Sequence, residues 1–244
     1  MMLKSNFDEW PVPGEIFRVS ALELAVLDTP HPYELSESTS AASNWKEESA
    51  RNPALFNGRM MLQRAVSIEQ GAIRGEAHLI DYATFLWWRK TRPRDAALHL
   101  FGLPVILSSD GAVIAIRMAA RTANPGRVYC AAGSLDDGDL LDGRCDVDGN
   151  MRREVKEETG LDLDMAQADS GFWALHNNEV ITLFRLYRFP LTAQELVAAV
   201  ETHISTDPDP EIDAVLAIRS ADPDLHDYPP FMPKILSWIF ESQG

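Results

Sequence analysis

The sequence predicts an α/β protein with a mixed sheet, preceded by a smaller α+β region at the N-terminus. Three observations carry that reading. Strand-like and helix-like stretches alternate through most of the chain. A strand at Val128 to Ala132 runs into a glycine-rich turn and then an acidic helix. The character of the chain changes at Arg92-Pro93-Arg94-Asp95, which divides it into residues 1–95 and 96–244. The 244 residues and 45% hydrophobic content suffice for one substantial domain with a smaller appendage.

Before the join, Glu15 to Val26 and Arg59 to Gln70 alternate apolar and polar residues and are read as strands. Asn44 to Arg51 is read as a short polar helix, Asn52 to Gly58 as a turn, and Tyr82 to Arg89 as a helix. Phe85, Trp87 and Trp88 lie on that last segment, and aromatic clusters near a seam are usually core. After the join, Leu103 to Leu107 and Val113 to Met118 flank Ser108-Ser109-Asp110-Gly111, a hairpin pattern. Asn124-Pro125-Gly126 turns the chain. Beyond the acidic helix come a strand at Val180 to Phe189, a helix at Ala193 to Glu201, a strand at Ala214 to Ile218 and a terminal helix at Pro233 to Phe240. The sequence contains no internal repeat or low-complexity segment.

A formal charge of -15 argues against nucleic acid and anionic membrane as partners, whereas an anionic nucleotide remains acceptable when a cation supplies the positive charge. Cys130 and Cys145 make no disulfide framework, and their contexts do not suggest a metal pair. No apolar run reaches transmembrane length, and the first ten residues lack a signal-peptide core, so the expected location is the cytoplasm.

The most informative string is Arg153-Glu154-Val155-Lys156-Glu157-Glu158-Thr159-Gly160, followed by Leu161. At about 100° per residue, Glu157 and Glu158 fall on either side of Glu154, which gathers three carboxylates on one helix edge. Hard oxygen donors so placed suit Mg²⁺ or Mn²⁺. Met151 and Val155 lie to one side and are expected to pack on a core. Gly160 is the residue type that ends a helix in the left-handed conformation. A solvated acidic face would show the same carboxylates, but the upstream strand and the turn Gly133-Ser134-Leu135-Asp136-Asp137-Gly138-Asp139 add a bare backbone carbonyl beside them.

This segment resembles the box of the Nudix hydrolases, which cleave nucleoside diphosphates linked to another moiety. Gly133 matches the leading glycine of that pattern, and Arg153, Glu154, Val155, Glu157, Glu158, Gly160 and Leu161 match its second half. The middle differs. Asp139 stands where the pattern has Glu, and residues 140–152 make thirteen intervening residues where the pattern has seven. Counted back from Arg153, the Glu position falls on Cys145. Asp139, Asp146 and Asp148 are each candidates to pair with Arg153, and Asp148 is equally a candidate N-cap. The inserted residues 140–147 are expected to form an exposed loop ahead of a helix beginning near Asp148 or Gly149.

The resemblance covers about residues 100–240 and implies an α/β/α sandwich with a mixed sheet. It also implies a Mg²⁺- or Mn²⁺-dependent hydrolase that cleaves a diphosphate linkage in a nucleotide-type small molecule. Under it, Glu154 and Glu158 are the principal metal ligands, Glu157 binds a further cation or orients water, and the Ala132 carbonyl is a backbone ligand. Arg153 orients a carboxylate. The general base comes from a glutamate in a later loop; Glu179 and Glu211 are the candidates, with Glu211 preferred. His176 and His203 are read as surface or capping residues.

The N-terminal stretch is expected to supply substrate selection or homodimer contacts and no catalytic metal ligand. Its Asn-Pro and Phe-Asn-Gly turn resembles the leading domain of UDP-glucose-type Nudix hydrolases, whereas the insertion resembles the coenzyme A-type branch. UDP-sugar, ADP-ribose and coenzyme A-like substrates therefore all stay open. Two rivals remain, a Nudix-fold nucleotide-sensing module without chemistry and an isomerase on the same fold. The three intact glutamates favour hydrolysis over both.

Overall fold

A computed structural model of the chain describes residue 5 and residues 9–93, 96–177 and 179–242. In chain order the elements are β1 (Phe17–Arg18), β2 (Ala21–Leu27), α1 (Pro32–Arg51), β3 (Arg59–Glu69), β4 (Ala72–Asp81), α2 (Tyr82–Thr91), β5 (His99–Leu107), β6 (Val113–Met118) and β7 (Val128–Tyr129). They continue with β8 (Leu140–Leu141), β9 (Arg144–Cys145), α3 (Val147–Thr159), β10 (Gln167–Ala168), β11 (Trp173–Asn177), β12 (Val180–Arg188), α4 (Ala193–Thr206), β13 (Ile212–Ile218) and α5 (Met232–Ser242). The described residues fall into two compact units: Met1–Phe101 with Ser134–Val147 and Ala174–Thr182, and Gly102–Gly133 with Asp148–Trp173 and Leu183–Gly244. Arg94 and Asp95 of the expected join lie outside the described residues.

The first unit contains a sheet in the order β3-β4-β2-β9-β8. β3 and β4 form an antiparallel hairpin, and β2 runs parallel to β4. Gln70 and Gly71, both at positive φ (50° and 79°), supply the mirror-image turn that this hairpin requires. β4 has no counterpart among the elements expected from sequence, because Gly75 and scattered charges interrupt its alternation. The structure gives the reason for that glycine: a Cβ there would come within 2.6 Å of Gln63 Oε1 and 2.8 Å of Leu24 Cδ2.

Helix α1 is also longer than the expected Asn44 to Arg51. His31 caps it, its Nδ1 accepting the Tyr33 N–H at 3.0 Å, and Pro32 occupies the first turn. The serines that weakened the helical pattern find local acceptors, Ser36 donating to the Tyr33 carbonyl and Ser49 to that of Trp45. Phe85 and Trp88 belong to the core with Tyr33, Met60, Leu62 and Ile80, as the packing reading expected. The Trp88 indole N–H donates to the Ala97 carbonyl.

The insertion is a hairpin, not an irregular loop. Leu140 pairs with Cys145 and Leu141 with Arg144 about Asp142 and Gly143, whose φ values of 49° and 75° are again those of a mirror-image turn. Arg144 then pairs with Ala25, so the hairpin extends the sheet through β2. Residues 140–144 are nevertheless exposed, as expected.

In the second unit β5 and β6 form the expected hairpin, β13 lies antiparallel on the other side of β6, and the strand order is β12-β5-β6-β13. β10 pairs with β12 and β7 with β6. The expected strand from Val128 to Ala132 is shorter, with only Val128 and Tyr129 in the ladder. Helix α4 starts at a capping box, Thr192 with Glu195, and packs on β6 and β13. Trp238 of α5 meets Phe184 of β12 edge to face, with centroids 5.5 Å apart. No helix among the described residues is long and apolar enough to cross a membrane.

Two buried imidazoles are expected to make the first unit acid-labile. Burial, with the neighbouring His78, lowers His31 from 6.5 to about 4, and burial, with Arg92 and Arg89, lowers His99 to about 3. The unfolded chain takes up these protons near pH 6.5 whereas the folded chain does not. Stability is therefore full above that pH and falls as pH drops toward about 4, by up to about 3 kcal/mol for His31. Denaturant melts at pH 7.5 and 5 are expected to show the loss. His31→Asn, which keeps a capping acceptor without a titrating ring, should flatten that histidine's share of the slope; an unchanged slope would refute the assignment.

Candidate cation site on the acidic helix

Helix α3 has the dry and wet edges its sequence predicts. Met151 and Val155 are fully buried, whereas Glu157 is exposed. At its C-terminus Gly160 takes φ 72°, and its Cα faces the His203 ring so closely that a Cβ would stand 2.8 Å from Nδ1. His203 Nε2 lies 2.8 Å from the Glu157 carbonyl, so this histidine caps the helix end, as the capping reading allowed.

The Gly133 turn fits against the same helix. A Cβ built on Gly133 would lie 2.3 Å from the Glu154 carboxyl carbon, so the carboxylate occupies the space that only glycine leaves open. Arg153 ion-pairs with both Glu154 at 2.8 Å and Glu157 at 3.2 Å, the second being the expected contact one turn along the helix. Glu158 carries the largest perturbation of these carboxylates. Burial raises its pKa well above the ordinary value, and Glu154, Glu211 and Glu157 push it the same way; a hydrogen bond from the Ala132 backbone partly offsets them. Its Oε2 has no hydrogen-bond partner among the described residues.

The structure therefore brings Ala132, Gly133, Arg153, Glu154, Glu157, Glu158 and Glu211 into one neighbourhood. Glu211 reaches it from the loop before β13, where its carbonyl accepts the Ala119 N–H. Glu179, the other candidate base, belongs to the first unit, where its carbonyl accepts the His99 N–H. His176 is also there, buried, with Nε2 2.6 Å from the Pro11 carbonyl and its ring edge-on to Trp10. It is a packing residue and not a surface one. Cys130 is buried and Cys145 half-buried; both are free, and burial pushes each thiol up to about 12, which excludes a thiolate nucleophile near neutrality.

Asp148 does not cap the helix, because α3 begins at Val147. Its partners are not Arg153 but Arg152, Arg185 and Tyr187: it accepts from Arg152 Nε at 2.7 Å, Arg185 Nη1 at 2.6 Å and the Tyr187 hydroxyl at 3.1 Å. Burial disfavours its charge, but hydrogen bonds from Arg152 and Tyr187 and the two guanidinium charges outweigh burial and hold the carboxyl below its usual range. Asp139 Oδ2 accepts the Asp136 N–H, closing a capping box on a short 3-10 turn. The Arg152 and Arg185 contacts are not among the expectations from sequence. Their signals were the spacing of four between Asp148 and Arg152, and the placement of Arg185 and Tyr187 two apart on one strand face.

Among the described residues no three His, Cys, Asp or Glu side chains already close a cation cage. Two features of Glu158 are nevertheless ones that a divalent ion would relieve. Carboxylates crowd around Glu158, one of whose oxygens is buried and unpartnered, and a hard cation relieves both conditions.

No family model matches the chain, and no curated protein matches it. Solved structures do. A MutT protein from Methanosarcina mazei Go1 is 13% identical over 60% of this chain and 95% of its own, with a TM-score of 0.40. A Nudix hydrolase from M. smegmatis, RenU, is 13% identical over 60% of this chain and 84% of its own, at 0.38. The E. coli ORF135 protein is 13% identical over 59% and 91%, at 0.34. With its two sheets, its glycine turn and its Arg153–Gly160 acidic segment, the chain has a mixed α/β fold.

Proposed function

We propose that the chain is a Mg²⁺- or Mn²⁺-dependent hydrolase of a diphosphate linkage in a nucleotide-type small molecule. The observation that carries this reading is the crowding of Glu154, Glu157 and Glu211 around the half-buried Glu158 beside Ala132 and Gly133. Glu154 and Glu158 would hold the principal cation with the Ala132 carbonyl, and Glu157 a further one. A bound divalent cation supplies neutralisation of the diphosphate oxygens and acidification of water.

The remaining work belongs to the chain's own groups. Gly133 leaves room for the Glu154 carboxylate, and Arg153 restrains the rotamers of Glu154 and Glu157. Glu211, exposed on its loop yet electrostatically coupled to Glu158, takes the proton of the attacking water. Residues 1 to about 95 are proposed to select the substrate or to make dimer contacts. The unit they belong to has a cleft lined by Leu27, Asp28, Glu34, Arg59 and Leu79 together with Leu140 and Gly143 of the inserted hairpin.

The test is phosphate release from UDP-sugars, ADP-ribose, coenzyme A and dinucleoside polyphosphates, with and without Mg²⁺ or Mn²⁺. Turnover of at least one of them that chelation abolishes is expected. Binding of a nucleotide without turnover on any of them would point instead to the sensing module.

A further inference from the structure

We infer that Asp148 is a positioning residue for the cation site, fixing α3 against β12 so that its carboxylate edge is held in one orientation. This rests on the cation-site reading above. Asp148 lies six residues before Glu154 on the same helix, about 9 Å along the axis at 1.5 Å per residue. Its carboxylate takes one donor from its own helix, Arg152, and two from β12, Arg185 and Tyr187. Three donors converging on one carboxylate from two elements restrict both rotation and sliding of a helix, which a single contact does not.

Each donor is in turn held in place. Arg152 Nη1 reaches Asp164 at 2.5 Å, Arg185 Nε donates to the Asp169 carbonyl at 2.8 Å, and the Tyr187 hydroxyl also lies 3.8 Å from Met151 Sδ. Tyr187 is fully buried, so the strand side of the clamp is fixed by packing. At the ligand edge Arg153 joins Glu154 to Glu157 within the helix and so sets their rotamers, while Asp148 ties the helix to β12.

The test uses the full chain and Mn²⁺ alone as probe, with affinity read by calorimetry below each variant's own measured melting transition, and turnover read separately. Asp148→Asn keeps the shape and removes the charge. Its Mn²⁺ dissociation constant is expected to rise by about tenfold or more, as for residues that orient metal ligands, with kcat falling and KM little changed. Tyr187→Phe removes one of the three donors and keeps the ring, and should give a smaller rise in the same direction. It also serves if the first variant does not fold. A lower melting temperature with Mn²⁺ affinity unchanged in both variants would show a purely structural clamp and overturn the inference alone. Failure of the unaltered chain to bind Mn²⁺ would overturn the cation-site reading and this inference with it.

Discussion

Glu158→Gln and Glu157→Gln are each expected to lower turnover by about a hundredfold or more while the chain still folds. Either substitution keeps side-chain volume and deletes one ligand charge, and a metal-held diphosphate depends on that charge for several kcal/mol of barrier lowering. The two should differ in their effect on the metal-free protein. Glu158 is half-buried and crowded by Glu154, Glu211 and Glu157, so its replacement removes repulsion, and Glu158→Gln should melt no lower than the unaltered chain. Glu157 is exposed and paired with Arg153, and exposed pairs contribute at most about 1 kcal/mol, so its replacement should shift melting little. Steady-state kinetics in Mn²⁺ beside calorimetric melts in chelator check both. Undiminished turnover in the two variants would remove the hydrolase assignment.

Gly133→Ala should be comparably damaging to turnover and much less so to folding. The added methyl would stand 2.3 Å from the Glu154 carboxyl carbon, a separation no real contact tolerates. The atom it meets is the far end of a flexible side chain, so Glu154 swings aside at modest cost to the fold. A ligand displaced by even 1 Å costs about 10²-fold in rate. A loss of that order is therefore expected, together with weaker Mn²⁺ binding and a melting point lowered by only a few degrees. Gly160 makes the useful contrast. Its φ of 72° and the His203 ring beside it put the penalty for a methyl group on the backbone, so Gly160→Ala should unfold the helix end before it touches the chemistry. Activity retained in Gly133→Ala would mean that Glu154 is not a ligand.

What the sequence by itself determined is whatever local chemistry dictates. The α3 wheel separated Met151 and Val155 from the three glutamates, and Gly160 marked its end, because helical periodicity and a left-handed stop depend on neighbours within one or two turns. The Ser108–Gly111 hairpin and the core role of Trp88 were legible for the same reason. The failures share a cause as well. β4 hid behind Gly75, a residue explained only by Gln63 and Leu24 on neighbouring strands, and the first half of α1 hid behind serines whose hydroxyls bond back to their own helix. The 140–147 insertion read as an exposed loop because its pairing partner, β2, is more than a hundred residues away in sequence. The partner of Asp148 could not be chosen from sequence spacing, since Arg153 and Arg152 were both within reach along the chain. Only the packing of β12 on α3, which delivers Arg185 and Tyr187 to the same carboxylate, decided it. Tertiary structure likewise brings the charge of Glu211, one loop carboxylate among many in the sequence, close enough to Glu158 to push its pKa up, where burial makes like charges costly.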